Sequence, residues 1–258
     1  MIASNRFDLA RLRQHLKPFR VHYFPTVGST SAHAAKMRKE KRLFAPAIVL
    51  TSRQTAGRGR GSNQWFSAGG SLTVTFVLPI DEHEPWQLPL IAGLAARAAC
   101  AEVSGHQGIM LKWPNDLLAD GKKLAGLLCQ RIEKADLVGI GINVNTPIGK
   151  APRELRGKIV SLERLAGRPV DINEVLIKLA GHLRRVVRLR NEKPFAAFVE
   201  EYQKYDALAG ERVQIAGENG EPAISGICEG IDDSGRLVLR CRDKVKRIIA
   251  GHVIFEGR

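Results

Sequence analysis

L-K-W-P-N-D-L-L-A-D-G-K-K-L-A-G, residues Leu111 to Gly126, is two apolar runs joined by a tight turn. Ile109 to Trp113 reads as a short strand, Pro114 turns the chain, and Ala119-Asp120-Gly121-Lys122 is hairpin chemistry, because Asp-Gly accepts the positive φ of a two-residue β-turn. Leu124 to Ile132 and Leu137 to Val144 follow, separated by Glu133-Lys134-Ala135-Asp136. The pattern predicts a meander of antiparallel strands, and so an α+β fold.

Upstream, Ala47 to Thr51 and Ser71 to Leu78 are apolar and β-branched, and between them lies Q-T-A-G-R-G-R-G-S-N-Q-W, Gln54 to Trp65. Before them come a short helix over Phe7 to Leu16 and a strand from Val21 to Phe24 ending at Pro25. Gly28-Ser29-Thr30-Ser31 then opens a helix to Leu43, its hydroxyls suited to capping free amides. Glu84-Pro85-Trp86 opens an Ala-rich helix to about Val103. Downstream, Thr146 to Gly157 is a loop. Asp171 with Glu174 starts a helix to about Arg190, and Pro194 begins another to Tyr205. From Leu208 the runs are short and β-like: Val213 to Ile215, Ala223 to Cys228, Leu237 to Arg240 and Val245 to Phe255. They are broken by Gly217-Glu218-Asn219-Gly220 and Asp232-Asp233-Ser234-Gly235. A small β-barrel accounts for them. The expected division is residues 1–206 for the main domain and 207–258 for the barrel.

Forty Lys and Arg against twenty-six Asp and Glu give a net charge of +14, which favours an anionic partner without naming it. The basic clusters at Lys36 to Arg42 and Arg184 to Arg190 lie in helical patterns with few aromatics, as solvated helix faces do. Cys100, Cys129, Cys228 and Cys241 are far apart, with neither disulfide-framework nor zinc spacing. The N-terminus lacks the apolar core of a signal peptide, and the longest apolar stretch, Leu88 to Ala96, is too short to span a membrane. A cytoplasmic protein with reduced cysteines is expected.

Alternate glycines at Gly57, Gly59 and Gly61 let backbone approach a ligand, and the interleaved Arg58 and Arg60 bring positive charge to the same place. A solvated linker is the plain alternative. Lys112, Asn115, Asp116, Lys122 and Lys123 stand at strand ends beside tight turns, where sheet proteins usually put their sites. Taken alone, they read more simply as an Asx turn at Asn115-Asp116 followed by a hairpin with a basic tip, with no ligand. The glycines fit neither G-x-G-x-x-G nor the P-loop spacing. No Ser/His/Asp or Cys/His pattern is visible.

Together these stretches resemble the biotin protein ligase family. Its Gly/Arg loop stands as Ala56-Gly57-Arg58-Gly59-Arg60 with Trp65 after it, its K-W-P-N-D as Lys112 to Asp116, its K-L-A-G as Lys123 to Gly126, and its G-I-N-V-N as Gly141 to Asn145. The resemblance covers roughly Val21 to the end. It implies a class II synthetase-like α+β catalytic domain, with a mixed, largely antiparallel sheet and flanking helices, plus a small C-terminal SH3-like β-barrel. Three departures stand out. S-T-N is here Ser29-Thr30-Ser31, Gly61-Ser62-Asn63 replaces a further R-G-R, and too short a segment precedes the domain for the winged helix of repressor-type members. Sequence-specific DNA binding through that module is therefore not expected.

The resemblance implies a ligase that forms biotinyl-5'-AMP from biotin and ATP and passes biotin to a lysine of a biotin carboxyl carrier protein. It implies Lys123, Arg60 and Asp116 as catalytic residues. Ser29, Thr30, Gln54, Gly57, Arg58, Lys123 and Gly126 would line the biotin pocket. Arg58, Arg60, Trp65, Asn115, Asp116 and Asn143 would serve ATP, with Trp65 read more as packing than as a contact and Asp116 as the contact to Mg²⁺. The cations suit the chemistry, since a carboxylate and an α-phosphate repel by several kcal/mol in a dry site unless positive charge lies between them. A homodimer is possible. Rival readings are a lipoate-attaching enzyme of related fold, a basic nucleic-acid-binding module, and a relative that binds biotin without ligating it.

Overall fold

The computed structural model describes residues 5–80, 84–216, 223–242 and 244–256. Strands β1 (Arg20–Val27), β2 (Ala47–Gln54), β3 (Ser71–Pro79), β4 (Ile109–Lys112), β5 (Asp116–Ala119), β6 (Lys122–Ile132) and β7 (Ala135–Asn143) form one sheet in the order β1-β2-β3-β7-β6-β5-β4. Only β1 and β2 run parallel; the other neighbours are antiparallel. Asp120 and Gly121, with φ of 51° and 70°, form the hairpin turn that their residue types require. Glu133 and Lys134 make a second two-residue turn, shorter than the four-residue break read from the sequence.

Period-two alternation divides the central strands between two cores. Ala47 and Val49 of β2 and Val77 of β3 pack with Ala34 and Met37 of α2 (Thr30–Lys39). Ile48, Leu50, Val74 and Phe76 face the larger core, which includes α3 (Leu88–Ser104) and α5 (Ile172–Glu192). Val175, Leu176, Leu179, Ala180 and Leu183 make the buried stripe of α5, and Asp171 caps it by accepting from the Asn173 N–H. The remaining helices α1 (Leu9–His15), α4 (Leu162–Ala166) and α6 (Val199–Gln203) are short. Two expectations are corrected here. The first strand runs through Pro25 to Val27, because β1 is an edge strand and Pro25 interrupts its ladder without ending it. The helix after Ser31 stops at Lys39, where Glu40 caps it, and not at Leu43.

The second sheet holds β8 (Arg212–Ala216), β9 (Ile224–Ile231), β10 (Leu237–Cys241), β11 (Lys244–Ile248) and β12 (His252–Phe255), all antiparallel, in the order β11-β10-β9-β8-β12. The run Val245 to Phe255, read as one segment, is two strands at opposite ends of that order. The expected turn at Gly217-Glu218-Asn219-Gly220 lies outside the described residues. The sheets are riveted together: Trp113 Nε1 donates to Gly235 O at 3.2 Å, and Trp86 Nε1 donates to Ser234 O at 3.1 Å. The tryptophan of K-W-P-N-D is thus a buried structural anchor that fixes the turn beside it.

Asp206 sits in this junction, 6% exposed, with Oδ1 accepting the Leu208 N–H at 2.9 Å. Burial pushes its carboxyl up to about 6. A folded-state value above the unfolded one means that its contribution is full below the ordinary aspartate range and is lost as pH rises through about 6. Asp206→Asn keeps the acceptor and removes the charge. It should stabilise the fold by about 2 kcal/mol at pH 8, with the advantage gone at pH 4, as denaturant unfolding at the two pH values would measure.

Candidate active site

A cavity of about 430 Å³ opens on the α2 side of the main sheet, between the Gly/Arg loop, the middle of β6 and β7, and the start of β12. The loop is a small hairpin. Trp65 N–H donates to Gly57 O at 2.9 Å, Gly59 N–H donates to Asn63 O at 2.8 Å, and Arg58 bridges Gln64. Its turn is Arg60-Gly61-Ser62-Asn63, with Gly61 at φ 58°, so the departure at 61–63 is turn chemistry. Gly57 is glycine for space: a Cβ there would lie 2.5 Å from Trp65 O. Gly57 does not line the cavity, although the resemblance implied it as a biotin contact. Every other implied site residue does: Ser29, Thr30, Gln54, Arg58, Arg60, Trp65, Asn115, Asp116, Lys123, Gly126 and Asn143.

Trp65 lies on the floor. Gly126 and Gly141 are cross-strand partners on β6 and β7, and together they leave a slot for the indole. A Cβ on Gly141 would come 2.4 Å from Trp65 Cε2, and one on Gly126 would come 3.3 Å from Cζ3. Its Nε1 is buried without a hydrogen-bond partner among the described residues. Gly141→Ala should expel the indole, with a red-shifted tryptophan emission and a stability loss of about 1–3 kcal/mol by denaturant titration.

The end of the cavity beside α2 is hydroxylic. Ser29 caps α2 by accepting from the Ala32 N–H, and Gln54 Oε1 accepts from both the N–H and the hydroxyl of Thr30. Ser31 keeps a buried hydroxyl here, 3.1 Å from Thr75 Oγ1. Thr73 and Thr75 share the α2 face of β3 with Val77, as alternation dictates.

The opposite end is charged. Lys123 Nζ lies 2.7 Å from Asp116 Oδ1. The Lys123 backbone is clamped by the 155–160 segment, its N–H donating to Lys158 O and its carbonyl accepting from Val160 N–H. Arg60 Nη1 donates to Gly251 O at 3.0 Å and to Asn115 Oδ1 at 3.4 Å, while Asn115 Nδ2 donates to Leu127 O at 2.9 Å. The amide of Asn115 therefore braces the loop and β6. Asn143 Nδ2 donates to Lys123 O at 3.4 Å. Arg58, by contrast, is exposed. Three cations, Arg58, Arg60 and Lys123, thus face one carboxylate, Asp116, along the lining. Nearby, burial lowers the Lys112 ammonium, with Asp116 opposing and Lys123 adding to the shift. His252 is lowered by burial first, then by Lys112.

Sequence reasoning missed Gly251, His252, Leu155 and Ile159, which reach the cavity through tertiary packing. Among the described residues no cluster of three His, Cys, Asp or Glu side chains could hold a metal, and no helix is long and apolar enough to cross a membrane. A Mg²⁺ ion delivered with nucleotide phosphates needs only one or two carboxylates, and Asp116 supplies one in the cavity. The four cysteines are free.

The sequence matches the biotin/lipoate A/B protein ligase family over residues 23–146, and the biotin protein ligase C-terminal domain over residues 209–255. It is 34% identical over 238 residues to the biotin–[acetyl-CoA-carboxylase] ligase of Paracoccus denitrificans, covering 89% of this chain and 98% of that relative. It is 31% identical over 215 residues to the bifunctional ligase/repressor BirA of Bacillus subtilis, covering 80% of this chain but 65% of that longer protein. The fold superposes on the Aquifex aeolicus biotin protein ligase in complex with biotin and ATP with a TM-score of 0.81 at 29% identity, over 91% of this chain and 97% of that one.

Proposed function

Because the chain belongs to the biotin/lipoate A/B protein ligase family, with near full-length likeness to biotin ligases, we propose that it is an ATP-dependent biotin protein ligase. The observation that carries this reading is one cavity with a hydroxylic end on α2 and β3 and a cationic end at Lys123, Arg60 and Arg58. A small ring seated at the first end would put its carboxylate at the second.

In the first step a biotin carboxylate oxygen bonds to the α-phosphorus of ATP, the bond to the bridging oxygen breaks, and pyrophosphate leaves. Lys123 stands where the two anions meet, and its charge stabilises the pentacovalent phosphorus more than the separate reactants. Asp116 orients that ammonium. When Mg²⁺ accompanies the nucleotide it neutralises phosphate charge, with Asp116 the carboxylate to hold it. In the second step an acceptor lysine, as the free amine, attacks the biotinyl carbonyl; AMP leaves and a proton is released. Arg60 holds the loop against the mixed anhydride, Arg58 adds charge beside it, and the closed loop keeps water out. The acceptor is a biotin carboxyl carrier domain, and the four free cysteines suit a reducing cytoplasm. The catalytic unit is residues 1–206, with 207–258 closing the cavity through Gly251 and His252.

The direct test is transfer of labelled biotin to a purified carrier domain, with lipoate in a parallel arm. ATP- and biotin-dependent labelling of one lysine is expected, and labelling with lipoate in place of biotin would overturn the reading. The loop should also become protected from proteolysis within residues 58–64 when biotin and ATP are both present. Equal cleavage with and without them would remove closure from the mechanism.

A further inference from the structure

One backbone group fixes the direction of a whole hydrogen-bond chain at the hydroxylic end. The Thr30 N–H can only donate, so the Gln54 side-chain atom 2.8 Å away is the carbonyl oxygen Oε1. Thr30 Oγ1, 3.1 Å from that oxygen, donates to it as well. With its proton engaged, Thr30 Oγ1 accepts from Thr75 Oγ1 at 3.0 Å. The proton of Thr75 is then committed too, so in the 3.1 Å contact between Thr75 and Ser31 the donor is Ser31.

The chain leaves complementary ends. Gln54 presents Nε2, which among the described residues donates to no protein acceptor, and Ser31 presents only lone pairs. Both residues line the cavity, whereas Thr75 is fully buried behind them at 0% exposure. Gly139 makes room for the arrangement, since a Cβ there would lie 2.2 Å from Ser31 Oγ.

We propose that Thr75 is a positioning residue for substrate selection, holding the cavity end in one polarity with the Gln54 N–H donors beside the Ser31 acceptor. That polarity takes a ring with a carbonyl next to an N–H, as in a cyclic urea, and gives nothing to a dithiolane or a hydrocarbon ring. The inference rests on the ligase reading and deepens it, assigning head-group choice to a residue that touches no substrate. Without the Thr75 hydroxyl, Thr30 loses its donor and the Ser31 proton is free to turn into the cavity. The pocket then presents donors on both sides.

The test is biotin-dependent ATP–pyrophosphate exchange by the full chain and its Thr75→Val and Thr75→Ser variants. In Thr75→Val the KM for biotin should rise about tenfold, as for one hydrogen bond to the ring turned from favourable to lost, while the KM for ATP changes less than about twofold. Thr75→Ser should restore the wild-type value. Preference for biotin over biotin methylated at a ring nitrogen should also fall in Thr75→Val. Should that variant not fold, Ser31→Ala carries the same selectivity test with Thr75 intact. Equal KM increases for biotin and ATP, no rescue by serine, or unchanged selectivity would each overturn the inference. Wild-type exchange that ignores biotin would instead overturn the ligase reading beneath it.

Discussion

Lys123→Ala should lower biotin-dependent pyrophosphate exchange by about a thousandfold while leaving the protein folded. The folding half of this expectation comes from the backbone. β6 is held at Lys123 by its own ladder and by the parallel bridge to Ile159, and none of these bonds uses the side chain. The chemical half comes from charge. Removing the ammonium strips the cation that the proposed mechanism sets between two anions and also leaves the Asp116 carboxylate, 22% exposed, without its 2.7 Å partner. A lone carboxylate would then repel both substrates. Lys123→Ala/Asp116→Asn separates the two effects: if repulsion contributes, the double variant should exceed Lys123→Ala in exchange by about tenfold. Exchange persisting near wild type in Lys123→Ala, with an unchanged unfolding midpoint, would take Lys123 out of the mechanism.

The same residue shows what sequence could and could not carry. The Asp120-Gly121 hairpin and the Ser29 and Asp171 caps follow from local chemistry, and those residues took up the predicted roles. Lys123 and Asp116 were visible because they belong to K-L-A-G and K-W-P-N-D, but their contact was not: β5 and β6 pair Asp116 with Gly126 and Leu118 with Lys123, with a register shift between the two. The clamp on Lys123 from residues 158–160 was not visible, since it joins segments separated by a loop with no pattern of its own. Gly251 and His252 were hidden for a related reason: a break inside Val245 to Phe255 sends β12 across the second sheet to pair with β8. Pro25 misled because its cost depends on edge position, which only pairing reveals. Gly57 is ambiguous in another way, since glycine next to a ligand and glycine beneath a tryptophan backbone look alike in sequence.

Arg60→Gly should release the biotinyl adenylate and turn a selective enzyme into one that labels lysines indiscriminately. Arg60 is the one cation of the loop with two anchors, the Gly251 carbonyl from the second sheet and the Asn115 amide from K-W-P-N-D. The exposed Arg58 can follow the loop wherever it goes, but Arg60 ties it down. Each bond to a charged donor contributes about 1.5–3 kcal/mol, so losing both should raise adenylate escape by at least about tenfold. A mixed anhydride acylates whatever amine it meets once free, so bystander protein should be labelled at many lysines. Adenylate formation should fall less than in Lys123→Ala, because Lys123, the cation proposed to lie between the reacting anions, is kept. Arg60→Lys should fall between wild type and Arg60→Gly, since an ammonium keeps the charge but ends a shorter stem than the Nη1 that donates to both Gly251 and Asn115. Mass spectrometry of the bystander and assay of free adenylate measure both effects. A glycine variant that still labels only the carrier lysine would mean that the loop is held by Arg58 or by the hairpin itself. The second sheet would then have no part in retaining the intermediate.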